Sequence, residues 1–284
     1  MIEELKHGLE AKIEIIKSLL ANQRVAVAFS GGMDSSLVCY LSKLFADDVL
    51  AVMVKDPTTS SIELGRAKMF SEMYEIPLKI VESNPLNIDE FRENSENRCY
   101  YCKKTVFGLI QSIARKEKST MVVDGTNVSD LTDIRPGIRA ARELNVKSPL
   151  AEAELSKEEI REISKSYGLP SQYYPAQACL ASRVPFDTPL SESLLKMIDE
   201  AENAIRRILN EKYLPLRVRV HSLGLPNFYL ARIESNNGFL KKICQNPELR
   251  ERIIENVLDL GFVFVTVDLE GFYTGKMHRI KNRD

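Results

Sequence analysis

The chain is short of net charge, of histidine and of long apolar runs, and each shortage excludes something. Thirty-nine basic residues stand against 40 acidic ones, a formal charge of −1, so there is no overall electrostatic grip on a polyanion such as nucleic acid. No apolar run approaches the roughly 18–20 residues of a membrane span. Met1-Ile2-Glu3-Glu4-Leu5-Lys6 lacks the basic stretch and apolar core of a secretion signal. The expectation is a cytoplasmic, reducing location with no membrane partner. Internal repeats and low-complexity segments are missing as well. A composition that is 44% hydrophobic and 28% charged excludes collagenous and disordered chains. The 284 residues suit one large domain or two ordinary ones.

Cysteines are few and odd in number: Cys39, Cys99, Cys102, Cys179 and Cys244. A disulfide frame is out of place in a reducing compartment. Cys39 and Cys244 sit in apolar helical runs and read as core residues. Cys99-x-x-Cys102 and Cys179, which lies between Pro175 and Pro185, call for chemistry. A lone C-x-x-C fits a redox dithiol, half a zinc site or plain packing. His7, His221 and His278 are the only histidines and complete no convincing zinc set. Three thiolates also suit an iron–sulfur cluster and leave one iron open.

Hydrophobic periodicity gives a helix over residues 2–21 and then a buried strand, Val25 to Phe29. Further strands are expected at 49–54, 78–81 and 121–124, with helices at 37–45, 62–74 and 106–115. This alternation predicts β-α-β units and a doubly wound parallel sheet, with any ligand at the strands' carboxyl edge. The pattern changes after about residue 185. A long helix at 190–210, strands at 216–220, 228–233 and 262–267, and a helix at 248–260 predict a smaller α+β domain. The expected division is 1–185 and 186–284. Residues 206–284 carry 14 Lys/Arg against 9 Asp/Glu, a net of +5, which leaves −6 for the remainder.

Ser30-Gly31-Gly32-Met33-Asp34-Ser35-Ser36 lies between the first strand and the next helix. Paired glycines permit a tight turn that exposes amides to an anion, and the helix N-terminus and the serine hydroxyls add to the pull. Asp34 suits Mg²⁺ or loop shaping rather than bare phosphate. Neither a Walker loop nor a dinucleotide fingerprint is present. Asp124-Gly125-Thr126-Asn127 closes the fourth strand, followed by Asp130, Asp133, Arg135, Pro136 and Gly137. These residues fit nucleotide and Mg²⁺ contacts, or equally turns and caps.

The Ser-Gly-Gly-x-Asp-Ser loop resembles that of the N-type ATP pyrophosphatases, which split ATP into AMP and pyrophosphate. This resemblance implies that Ser30, Gly31, Gly32, Asp34, Ser35 and Ser36 hold the pyrophosphate. Ala28 and Met53 would meet adenosine at the strand ends, with Gly125 and Arg135 completing the nucleotide site. Further motifs narrow the family: Arg98-Cys99-Tyr100-Tyr101-Cys102-Lys103, Asp124-Gly125-Thr126-Asn127, Ser148-Pro149-Leu150, Cys179-Leu180-Ala181-Ser182-Arg183, Leu216-Arg217-Val218-Arg219-Val220-His221 and Ala231-Arg232-Ile233-Glu234. In this order they resemble the LarE sulfur transferases, over about residues 20–277. That likeness implies ATP, Mg²⁺ and adenylation of a carboxylate on pyridinium-3,5-biscarboxylic acid mononucleotide, followed by conversion to a thiocarboxylate. In one branch the cysteine at the position of Cys179 gives up its own sulfur. In another, a C-x-x-C pair joins it to hold a [4Fe-4S] cluster whose open iron carries sulfide, supplied free or by a donor protein. Cys99, Cys102 and Cys179 match the second arrangement, with Cys179 and Asp34 as the catalytic residues. The family also forms homo-oligomers.

Arg217 and Arg219 alternate on a predicted strand and share a face. With Arg232 they could bind a substrate phosphate, and Glu202 and Glu234 could bind metal or orient the substrate. The other reading is a solvated strand face with surface ion pairs. One departure concerns Gly271-Phe272-Tyr273-Thr274-Gly275-Lys276, where Tyr273 replaces the family's arginine and Lys276 could supply the charge. Two rivals remain, a tRNA thiolation enzyme of the same superfamily and an ammonia-using synthetase. The first calls for a strong basic surface, and the second has no need of three placed cysteines.

Overall fold

A computed structural model describes residues 2–131 and 136–273, with only the backbone described for residues 2–7. The chain forms two compact units. The first comprises residues 1–56, 61–91 and 97–174, and the second comprises residues 57–60, 92–96 and 175–284.

In the first unit, α1 (Ile2–Leu20) leads into β1 (Arg24–Ala28), α2 (Met33–Phe45), β2 (Asp48–Lys55), α3 (Ser61–Met73) and β3 (Leu78–Glu82). The short α4 (Asp89–Arg92) precedes α5 (Arg98–Lys116), β4 (Met121–Val123), α6 (Val128–Leu131) and α7 (Pro136–Glu143), and then α8 (Pro149–Glu152) and α9 (Lys157–Ser166) follow. The four strands are parallel in the order β3-β2-β1-β4. Both sheet faces are covered, as buried parallel strands require. Val25, Val27, Ala51, Met53 and Val123 share one core with Leu37, Leu41, Ile160 and Ile163. The alternate residue Val52 points the other way, to Phe107, Ile110, Ala141 and Val146. The expected α/β sheet is therefore the fold of this unit. Chain order reverses between β1 and β4, which opens a crevice at their carboxyl ends.

α5 starts well before the expected residue 106, so Cys99 and Cys102 lie in its opening turns. α9 opens on a capping box, in which Ser156 Oγ accepts from Glu159 N at 3.2 Å and Ser156 N donates to Glu159 Oε2 at 2.8 Å.

The second unit contains α10 (Glu192–Leu209), β5 (Arg217–Ser222), β6 (Tyr229–Glu234), α11 (Asn237–Gln245), α12 (Pro247–Asp259) and β7 (Phe264–Val267). Ser191 caps α10 by accepting from Leu194 N at 3.2 Å, and Asn210 ends it in the left-handed region at φ 54°. The sheet order is β5-β6-β7, with the first pair antiparallel and the second parallel. Val218, Val220, Ala231 and Ile233 are buried on one face, and α10 packs on β5 and α12. Among the described residues, no helix is long and apolar enough to cross a membrane.

Candidate functional site

In the first unit, β1 ends at Ala28 and delivers Ser30–Gly32 to the crevice. Gly31 has φ +72°, and a Cβ there would lie 2.6 Å from Glu63 O, so only glycine fits. Ser30 Oγ and Ser35 Oγ are 3.0 Å apart, and Ser35 Oγ donates to Gly32 O at 3.2 Å. These bonds hold the loop closed over the start of α2. Gly32 occupies the cap position, and no side chain caps the helix. The first-turn amides and the helix dipole therefore suit an anion.

The loop after β4 closes on the first. A Cβ at Gly125 would lie 2.7 Å from Ser35 N, so the second loop rests on the backbone of α2. Asp124 shapes this loop by accepting from Thr126 N at 3.1 Å, Thr126 Oγ1 at 2.7 Å and Ser148 Oγ at 2.7 Å. Asn127 is fully buried and donates through Nδ2 to Asp34 Oδ2 at 3.3 Å. The second carboxylate oxygen of Asp34, Oδ1, and the amide oxygen of Asn127, Oδ1, are buried with no hydrogen-bond partner. Orphaned buried acceptors are rare and costly. Ser36 Oγ is also unpartnered, but so are the hydroxyls of Ser42 and Ser164, so it singles out nothing. Burial raises Asp34 to about 6, and the charge of Asp130 adds to this, against opposing pulls from Lys157, the Asn127 hydrogen bond and Arg161. Two hard oxygens left without partners fit a Mg²⁺ ion, which takes one or two protein oxygens and completes its shell with phosphate and water.

Met53 is buried in the core at the carboxyl half of β2, and Ala28 is half-buried at the end of β1. Arg135 and Asp133 lie outside the described residues, as do Lys276 and His278. Sequence reasoning named Asn127 within a motif without giving it a place among the site residues. Its total burial beside Asp34 is the missing sign.

Cys99 is exposed and Cys102 half-buried, three residues apart and so on one side of α5. Gly137 of α7 lies against this turn of α5, where an added Cβ would crowd Lys103 Cγ at 3.1 Å and touch Cys99 O at 3.7 Å. Cys179 belongs to the second unit, exposed at the start of a 3-10 turn, Leu180–Arg183. Thiolates suit a soft metal centre. Among the described residues, however, no group of three or more His, Cys, Asp or Glu side chains is gathered as a metal site. Cys39 is fully buried and its thiol is pushed up by burial. Cys244, expected in the core, is exposed instead. The buried stripe of α11 runs through Phe239 and Ile243, and the next residue turns off it.

In the second unit, the arginine-bearing strand is not a solvated face. Arg217 and Arg219 are 4% and 2% exposed. Arg219 Nε donates to Glu234 Oε2 at 3.0 Å, and its Nη1 donates to Ser182 O. Arg232 Nη2 donates to Glu234 Oε1 at 3.2 Å. Glu202 accepts from Arg183 Nε at 2.9 Å and Arg183 Nη2 at 3.3 Å, from Arg206 Nη2 at 3.4 Å and from Val218 N at 3.1 Å. Despite complete burial its carboxyl stays below the usual range, because Arg183 and Arg206 outweigh desolvation. Both oxygens of Glu202 and both of Glu234 are thus engaged within the protein. Arg217 differs. Its Nε has no partner, its guanidinium stacks on Phe272 at 4.4 Å, and burial beside Arg183 and Arg219 lowers it to about 10. A buried cation with a spare donor suits an anionic ligand.

The NAD synthase family matches residues 1–121. The chain is 35% identical to an uncharacterized protein of Synechocystis sp., over 96% of this chain and 98% of that one. It is 30% identical to the pyridinium-3,5-bisthiocarboxylic acid mononucleotide synthase of Lactiplantibacillus plantarum, over 94% and 93% of the two chains. A subunit of the glutamine-hydrolyzing GMP synthase of Methanococcus maripaludis is 28% identical over 71% and 66%. Near-full-length similarity to the mononucleotide synthase, on a sheet whose first loop is a pyrophosphate loop, means that the chain belongs to the LarE family of ATP-using PP-loop enzymes.

Proposed function

We propose that the protein adenylates a carboxylate of a small nucleotide-like acceptor and replaces an oxygen by sulfur, the acceptor being pyridinium-3,5-biscarboxylic acid mononucleotide or a relative. The observation that carries this reading is the orphaned oxygen pair, Asp34 Oδ1 and Asn127 Oδ1, beside an uncapped helix N-terminus.

In this reading the backbone of Gly31 and Gly32, with Ser30, Ser35, Ser36 and Arg135, grips the outer phosphates of ATP. Gly125 lets the second loop seat directly on the first beside the nucleotide, and Ala28 and Met53 border the adenosine. Asp34 and Asn127 would hold Mg²⁺, whose chemistry there would be to neutralise charge on pyrophosphate. An acceptor carboxylate oxygen attacks the α-phosphorus, and the bond from that phosphorus to pyrophosphate breaks. A sulfur nucleophile then attacks the acyl carbon, and AMP leaves with the electrons of the carbon–oxygen bond. The crevice serves mainly to orient these groups and to keep water from the adenylate.

Cys99, Cys102 and Cys179 would hold the [4Fe-4S] cluster, whose chemistry is the supply of sulfide replenished from solution or by a donor protein. Arg217 and Arg232 receive the acceptor's phosphate, with Glu202 and Glu234 anchoring the arginines around them and Arg219 bracing the site. The chain works as a homo-oligomer in a reducing compartment. An ammonia-using synthetase leaves the exposed thiols without a task.

The test is anaerobic purification with iron and sulfide analysis, followed by product analysis with ATP, Mg²⁺ and the biscarboxylic mononucleotide. Parent protein should bind iron and form thiocarboxylate over repeated turnovers with sulfide, and Cys179→Ala should do neither. Iron-free protein that turns over repeatedly would remove the cluster from the reading. Pyrophosphate release with no thiocarboxylate would remove sulfur transfer itself.

A further inference from the structure

Cys179 presents an exposed side chain on a backbone that is held from several directions. Its carbonyl accepts from Ser182 N at 2.9 Å and from Arg183 Nη1 at 3.3 Å. Arg183 Nη1 also donates to Ala178 O, the carbonyl before it. On the other side, Leu180 N donates to Thr58 O at 2.9 Å, and Arg219 Nη1 donates to Ser182 O. Arg183 is itself fully buried and is held as a fork by Glu202, which Arg206 and the Val218 amide hold in turn. The carbonyls of Leu214 and Leu216 fix Arg206 at 3.5 and 3.1 Å.

A short turn needs no such apparatus for stability. A buried ion pair is roughly neutral against apolar residues of the same volume, and Leu180 and Ala181 already bury themselves beside it. What the network adds is direction. A planar guanidinium tied to a carboxylate on one edge and to two successive carbonyls on the other fixes the peptide planes that flank Cys179. We propose that Arg183, anchored by Glu202 and Arg206, is a positioning residue that aims the Cys179 thiol for the sulfur-transfer step. Arg219, tied to Glu234, braces the far end of the same turn. The inference rests on the sulfur-transfer reading and adds to it a mechanical requirement on one thiol.

Two full-length variants test it, Arg183→Lys and the pair Arg183→Met with Glu202→Gln. Lysine keeps the charge beside Glu202 but cannot span both carbonyls. In the pair, the glutamine amide still accepts from Val218 N, and the buried charge on Arg183 is gone. Pyrophosphate release and thiocarboxylate formation are measured separately with ATP, Mg²⁺ and pyridinium-3,5-biscarboxylic acid mononucleotide, alongside thermal melts. In both variants thiocarboxylate formation should fall about 30–100-fold, with pyrophosphate release and the KM for ATP within about twofold of the parent. A purely structural network would instead lower both steps together in the lysine variant, or leave the paired variant transferring sulfur at the parent rate. Either result overturns the proposal. In protein freed of iron by chelation, alkylation of Cys179 by iodoacetamide, read by peptide mass, needs no acceptor and should change at least about threefold in Arg183→Lys. An unchanged rate overturns the positioning role even if the acceptor proves to be another compound.

Discussion

The two units handle buried polar groups in opposite ways. Around the loop of the first unit, Asp34 Oδ1 and Asn127 Oδ1 are buried and left without partners. In the second, Glu202 and Glu234 are fully buried, and every carboxylate oxygen is met by arginine or amide. An unmet acceptor marks a place where a ligand completes the structure, whereas a saturated one marks a part that holds something else in place. Among the described residues of the second unit, Gln177 Nε2 and His221 Nε2 are also unpartnered, but Arg217 is the buried arginine with a spare donor, and so the point where that unit should meet an anion.

The contrast breaks most easily at Glu202. Glu202→Ala leaves Arg183 and Arg206 buried without their carboxylate and should cost about 3–5 kcal/mol, seen as a large loss in urea unfolding. A change below about 1 kcal/mol would mean that the network is idle. In the first unit, Gly125→Val forces a side chain against Ser35 N, and ATP-dependent pyrophosphate release should fall about 100-fold or more with far less loss of stability. Arg217→Met should leave stability unchanged or slightly raised, because it removes a desolvated charge. It should also weaken acceptor binding by about 10–100-fold, measured as KM with KM for ATP unmoved. The smallest effect is at Asp34. Its folded-state pKa, about 6, lies above the ordinary 3.8, so the half-buried carboxylate costs stability increasingly as pH rises from 3.8 to about 6, and fully above that. Asp34→Asn should therefore gain about 1–2 kcal/mol at pH 8, a gain that disappears in the acid range, where both states are protonated. Parent affinity for Mg²⁺-ATP should decline as pH falls through about 6, and the variant should show no such inflection.

Much of the first unit was legible in the sequence, because its strands are uninterrupted apolar runs and its loop is a short local motif. The late part of that unit was not. α7 and α9 are amphipathic but strongly polar on average, and the Ser156–Glu159 capping box that announces α9 spans only four residues. The start of α5 was hidden by Arg98, Lys103 and Lys104, which break an apolar stripe without breaking a helix. In the second unit, alternation of arginine with valine correctly gives a strand, yet it cannot reveal that the polar face is buried as well. That depends on Glu202 and Glu234, one on a distant helix and one on the next strand. Arg183 was visible within a motif, but its grip on the carbonyls of Ala178 and Cys179 is a three-dimensional fact.

The second unit includes two short pieces from the first third of the chain, residues 57–60 and 92–96. Thr58 O receives Leu180 N, and Asn94 Nδ2 reaches Pro185 O at 2.7 Å. The unit is thus discontinuous along the gene, and its earliest parts are synthesised long before the strands that they join. A fragment beginning at Pro175 would lack the anchors of the very turn that carries Cys179. The turn that carries Cys179 cannot be separated from the first third of the chain by a cut before Pro175. In evolutionary terms, this makes the two units a single inheritable piece rather than exchangeable modules.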